Sequence, residues 1–80
     1  MKVPIKAFGI AKEIIGGSSI VVEIPAGSQV TDLLQLLKEQ YPAFKELASL
    51  AIAVNATYAD PEQEISTGDE VVIIPPVAGG

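Results

Sequence analysis

The 80-residue chain contains no cysteine, no histidine, no arginine and no tryptophan. Without cysteine there is no thiolate nucleophile, no disulfide and no thiolate metal site. Without histidine the usual imidazole base and the commonest zinc ligand are missing as well. Serine–histidine and cysteine–histidine catalysis are therefore excluded. Five lysines stand against ten acidic residues, for a net charge of −5. That balance opposes phosphate backbones and anionic lipid, so the expected partners include no nucleic acid and no membrane. No apolar run approaches the roughly 18 residues of a membrane span. Lys2 and Lys6 are followed by no continuous apolar stretch of the signal-peptide kind, and the expectation is a soluble, cytoplasmic protein. The acidic segment Asp60-Pro61-Glu62-Gln63-Glu64 lacks the ligand alternation and the glycine of a calcium loop. It reads as a solvated loop, and no metal site is expected.

What is present is enough for one small core. Eighty residues, 49% of them hydrophobic, form a single domain. A domain of that size buries about 60–65% of its unfolded surface and leaves no room for a deep cleft. Residues 2–8 alternate, with Val3, Ile5 and Ala7 on one face and Lys2, Pro4, Lys6 and Phe8 on the other, the period of a half-buried strand. Pro4 suggests a strand start or an irregular pairing. Residues 9–19 hold Gly16-Gly17-Ser18-Ser19 and read as a long hairpin loop, with their glycines as turn residues. Their spacing matches neither a dinucleotide fingerprint nor a P-loop. Residues 19–25 alternate again, with Ile20, Val22 and Ile24 inward.

The period then changes. Val30, Leu33, Leu34 and Leu37 form the stripe of an amphipathic helix, with Ser28 as N-cap, Asp32 in the first turn and Pro42 ending it near Gln40 or Tyr41. A short helical turn is expected within residues 44–50. A third strand follows at 51–55 with Ile52 and Val54 inward, then a turn through Asn55 and Ala56 into a short fourth. Thr67-Gly68-Asp69 turns the chain into a last strand, residues 70–74, with Val71 and Ile73 on the face opposite Val72 and Ile74. The order ββαβ(β)β suits an α+β fold of the β-grasp, ubiquitin-like kind, a mixed sheet curled over one main helix. If the parity holds, Phe8, Val21, Val72 and Ile74, with Pro4, form an apolar patch on the face away from the helix.

The end of the chain, Pro75-Pro76-Val77-Ala78-Gly79-Gly80, divides from a domain of residues 1–74 as an extended tail of residues 75–80. The prolines supply no N–H and stop the preceding strand. The four residues beyond them reach roughly 13 Å at about 3.3 Å each, and the last two have no Cβ to obstruct a narrow channel. A terminal diglycine by itself is equally a frayed chain end. The Pro-Pro-Val-Ala lead-in on the end of a strand favours an arm that presents the Gly80 carboxylate to a partner.

Several blocks together carry a resemblance. Phe8-Gly9-Ile10-Ala11-Lys12-Glu13 with Gly16 or Gly17, Val30-Thr31-Asp32-Leu33-Leu34, Val54-Asn55, Gly68-Asp69-Glu70-Val71 and the six-residue tail resemble the small, sulfur-carrier subunits of molybdopterin synthases, nearly end to end. Lys12 stands where that family usually has arginine, and Ile74 where it often has an aromatic residue. The resemblance implies that an E1-like adenylyltransferase uses ATP to adenylate the Gly80 carboxylate, and that a persulfide sulfurtransferase turns it into a thiocarboxylate. The large synthase subunit then takes up Pro75, Pro76, Val77, Ala78 and Gly79, and Gly80 delivers sulfur to the pterin precursor. It implies no permanently bound cofactor, ATP being consumed only through a transient acyl-adenylate. It also implies docking through Phe8, Lys12, Val72 and Ile74, and an assembly of two small and two large subunits with the catalytic acids and bases on the large one. A thiamine-pathway sulfur carrier, a ubiquitin-like protein modifier and a plain binding module remain alternatives, the first requiring the same thiocarboxylate.

Overall fold

A computed structural model describes residues 1–47 and 49–76. Five strands form one mixed sheet in the order β2-β1-β5-β3-β4. They are β1 (Lys2–Ala7), β2 (Ser19–Glu23), β3 (Ala51–Val54), β4 (Thr57–Tyr58) and β5 (Val71–Ile74). β1 runs parallel to β5, with Ile5 opposite Val71 and Ala7 opposite Ile73, while the other pairings are antiparallel. The expected β-grasp architecture is the one observed.

The side-chain period of two sends Val3, Ile5, Ala7, Val22, Ile52, Val54, Val71 and Ile73 to one face, where all are buried. Helix α2 (Val30–Gln40) closes that face with Val30, Leu33 and Leu37, and a 3₁₀ turn at Pro42–Glu46 adds Phe44. Each fully buried leucine or phenylalanine contributes about 1.5–3 kcal/mol of transfer free energy. Ile20 and Leu34 are only partly buried at the core margin. Pro4 lies in a regular stretch of ladder rather than at a strand start. It faces Val21, and the N–H it lacks would point to the β5 side, one residue before the parallel pairing begins at Ile5.

Two further expectations are corrected. Residues 9–15 are a helix, α1 (Gly9–Ile15), rather than part of a hairpin loop. Ala11 is fully buried and Ile14 and Ile15 pack partly on the core, a stripe too short to register as periodic between flanking glycines. Gly16 ends the helix at φ +78°, its N–H and that of Gly17 returning to the Lys12 carbonyl. The N-cap of α2 is Gln29, not Ser28. The Gln29 N–H donates to Asp32 Oδ2 at 2.8 Å, whereas Ser28 Oγ donates to the Pro25 carbonyl at 2.7 Å.

The acidic loop is exposed as expected, yet its backbone has a second use. The Val30 and Thr31 N–H groups, unpaired within their own helix, donate to the Gln63 and Pro61 carbonyls at 2.9 and 3.0 Å. Ile65, buried and outside any sequence period, pins that loop to the core.

β3 and β4 are joined by Asn55 and Ala56, both at positive φ (+52° and +68°), the signature of a type I′ two-residue hairpin. Asparagine tolerates that region better than alanine does. Ala56→Gly is therefore expected to stabilise the domain by about 0.5–1 kcal/mol, relief of strain outweighing the added unfolded-state entropy. A urea midpoint unchanged or lower in the variant would refute it.

Candidate functional site

Because β5 lies between β1 and β3, the chain leaves the middle of the sheet at Ile74. Pro75 and Pro76 follow, half-buried and outside any strand. Val77, Ala78, Gly79 and Gly80, which carry the expected tail chemistry, lie outside the described residues. What can be built is the platform from which they depart.

That platform has a fixed floor. The Asn55 N–H donates to the Glu70 carbonyl at 2.8 Å, and the Glu70 N–H returns to Asn55 Oδ1 at 3.0 Å. Asn55 Nδ2 donates to Asp69 Oδ1 at 3.0 Å, while Asp69 Oδ2 accepts the Ser66 N–H at 2.8 Å. The β3–β4 hairpin and the 66–69 turn are thereby tied at the entry to β5. The Ser66 N–H and then the Asn55 amide hold the Asp69 carboxyl below the usual carboxylate range.

Near its other end β5 lies beside the start of α1. Phe8, in the extended cap position at φ −132°, leaves its ring 60% exposed. Gly9 follows at φ +57°, and a Cβ there would stand 3.9 Å from Pro75 Cγ. The turn into α1 and the first tail proline are therefore neighbours.

The outer face of the sheet follows from the register. Lys6, Val72, Ala53 and Tyr58 form one row across β1, β5, β3 and β4, with Ser19 at its β2 end. Ile74 pairs with Ala51, and Pro4 with Val21. Continuing the parallel register by one residue puts Phe8 beside Ile74. Val72 and Ile74 are half-buried, while Val21 and Tyr58 are well exposed. Of the four expected docking residues, the fold brings Phe8, Val72 and Ile74 onto one face. Lys12 is exposed one turn along α1, off the sheet. Tyr58 was missed: its place in this row, opposite the buried Ala53, depends on the hairpin register, which no local period reveals. Lys6 and Glu70 flank the face as an exposed ion pair at 3.7 Å.

Among the described residues no His, Cys, Asp or Glu side chains gather as a metal site, and no helix is long and apolar enough to cross a membrane. The site is thus an apolar sheet face around the root of a terminal segment. Among the described residues its side chains offer only hydroxyls, lysines and carboxylates as reactive groups.

Comparison with known proteins places it. The ThiS family model matches residues 5–80. The chain belongs to the ThiS family. Among its relatives, the molybdopterin synthase sulfur carrier subunit of Dictyostelium discoideum is 36% identical over 91% of this chain and 90% of its own length. A Pyrococcus furiosus protein assigned as subunit 1 of a molybdopterin converting factor has a similar structure. Its TM-score is 0.86 at 32% identity, over 96% of this ThiS-family chain and 99% of the other. A chain of the complex between subunits 1 and 2 of the molybdopterin-converting factor of Helicobacter pylori covers the whole of both chains. Its TM-score is 0.67 at 26% identity.

The Asp69 network makes a pH-dependent contribution of known sign. Stability carried by a carboxyl with a lowered folded-state pKa is present above the ordinary carboxylate pKa. It is lost as the pH falls through the lowered value. Asp69→Asn should therefore flatten the decline of the urea midpoint below about pH 4. Parallel declines for the two proteins would show that Asp69 does not carry it.

Proposed function

We propose that this ThiS-family chain is the sulfur carrier subunit of a molybdopterin synthase, in molybdenum cofactor biosynthesis. The observation that carries this reading is the similarity to such subunits along nearly the whole chain, at 36% identity over 91% of it. The fold supports it, because the central strand releases the chain at Ile74 beside an open apolar face.

The proposed working group is the Gly80 carboxylate at the end of a tail of residues 75–80. A terminal carboxylate with a pKa near about 3.5 is fully ionised at neutral pH. It is a competent nucleophile toward the α-phosphate of ATP and a poor electrophile until adenylated. An E1-like adenylyltransferase would form the acyl-adenylate with loss of pyrophosphate. A persulfide sulfur would then displace AMP. A thiol outside this chain, which has no cysteine, would attack the donor sulfur of the resulting acyl disulfide, forming a disulfide with it and releasing the thiocarboxylate. The thiocarboxylate so formed would enter the active site of the large subunit and pass its sulfur to the pterin precursor, water restoring the carboxylate. Val77, Ala78 and Gly79 would line that channel as an unobstructed strand, with Pro75 and Pro76 stiffening its root. ATP is used only by the activating enzyme, and the assembly would hold two small and two large subunits.

Incubation with ATP, an E1-like enzyme and a persulfide donor, followed by thiol alkylation and peptide mass spectrometry, tests this chemistry. Alkylation confined to the C-terminal peptide is expected, and without cysteine it can report only a thiocarboxylate. An unmodified tail, while the same enzymes charge a known carrier, would reject it. Adding the large subunit and the pterin precursor separates the synthase role from a thiamine-pathway carrier or a protein modifier, because only the synthase role predicts molybdopterin formation.

Docking is assigned to Phe8, Val72 and Ile74, with Lys12 at the margin. Phe8→Asp and Ile74→Lys are expected to weaken association with the large subunit by about 10- to 100-fold, the scale of an interface hot spot. Titration calorimetry on variants with native circular dichroism reads this directly, and unchanged affinity would remove the patch from the interface.

A further inference from the structure

A second surface lies at the other end of the sheet. An open groove of about 310 Å³ runs between β2 and α2, with Glu23, Ile24, Pro25, Leu36 and Glu39 among its walls. Ile24 is buried and Leu36 half-buried, so the floor is apolar. Its lining includes the acidic residues Glu23, Asp32 and Glu39 and no lysine, with Asp32 already accepting the Gln29 N–H. Lys2 stands opposite Glu23 in the register, yet the ion pair found among the described residues is Lys6–Glu70.

The backbone along this groove is available for pairing. The Ile24 N–H donates to the Met1 carbonyl at 2.9 Å, the Met1 amino group donates back to the Ile24 carbonyl, and the Ala7 N–H donates to the Ser18 carbonyl at 2.9 Å. Bonded pairs alternate in an antiparallel ladder, so they fall at 1/24, 3/22, 5/20 and 7/18. The N–H and C=O groups of Ser19, Val21 and Glu23 therefore point away from β1. β2 is an edge strand, and these groups face outward from the sheet.

We infer that this groove docks an extended, lysine- or arginine-bearing segment of a partner protein. The segment adds to the sheet beside Val21 and Glu23, sets its apolar side chains on the α2 side over Ile24 and Leu36, and presents the alternating cations to Glu23 on the opposite face. Backbone pairing supplies affinity, and the alternation of apolar and cationic side chains supplies selectivity. Location gives the site its use. Glu23 pairs with Lys2 at the start of β1, whereas the chain exits β5 beyond Ile73, opposite Ala7 at the end of β1. Five residue steps of strand separate those positions, roughly 17 Å at about 3.3–3.4 Å each. A partner in the groove leaves the root of the tail uncovered, so both ends of the sheet can be occupied together.

The test uses the intact chain and a blocked heptapeptide of alternating lysine and valine. A second peptide has identical charge and is N-methylated at alternate residues. Saturable amide shift changes confined to residues 19–25 and 32–39 are expected with the first peptide. At least about tenfold weaker binding is expected both for the methylated peptide and for a Glu23→Lys variant with a native spectrum. Equal binding of the two peptides would overturn strand addition, leaving charge attraction alone. Shifts spread over the acidic 60–64 loop, or no saturation at millimolar peptide, would overturn the site.

Discussion

The parallel pairing of β1 with β5 is the constraint on which the rest of the molecule depends. It joins the first strand of the chain to the last, and so places β5 in the middle of the sheet. Ile5 against Val71 and Ala7 against Ile73 put the most completely buried positions of both strands in one layer under α2. The same register puts Lys6 and Val72 on the opposite face. A slip of one residue would exchange the two sets, expose the core and bury the Lys6 ammonium. The hydrophobic pattern therefore specifies this register strongly.

A central last strand makes the position of the C-terminal segment a property of the core. Strand termini at a sheet edge fray at little cost, because few contacts hold them. β5 instead has a neighbour on each side, and its entry is held by the hydrogen bonds joining Asn55, Asp69, Glu70 and Ser66. These groups are largely solvated, so each bond contributes modestly. Their effect is geometric, fixing where Val71 enters the ladder. Four residues later Pro75 lies beside Gly9, at the turn into α1. Support at both ends of a four-residue strand fixes where the chain leaves the sheet in a domain without disulfides.

Much of this was legible in the sequence, for reasons that differ by element. Alternation in β1, β2, β3 and β5 and the 3.6-residue stripe of α2 are each set by one dominant buried face, and such faces leave a period. The end of β5 was legible because the two prolines that follow Ile74 supply no N–H to a ladder. Helix α1 was not, since seven residues between Gly9 and Gly16 present barely two turns of stripe. Ser28 looked like the better helix cap by residue type, but the bond to Pro25 had already engaged its hydroxyl. Gln29 became the cap because Asp32 reaches back to its N–H. Ile65 and Tyr58 carried no local signal at all. One is buried by a loop that returns to α2, and the other joins the outer face through a hairpin register.

The division of labour across the sheet follows from size. A domain of 80 residues has one core, and every apolar side chain used to build it is lost to recognition. This chain meets both needs by using the two sides of the same strands. Val71 and Ile73 stabilise the fold, while Val72 and Ile74, alternating with them, supply the outer apolar face. Only the outer set can be exchanged for other residues without opening a cavity. Within this architecture, Val21, Tyr58, Val72 and Ile74 on the outer face can vary while the inner set holds the chain exit in place. The place where the chain leaves the sheet and the character of its outer face are therefore set by different side chains of the same strand.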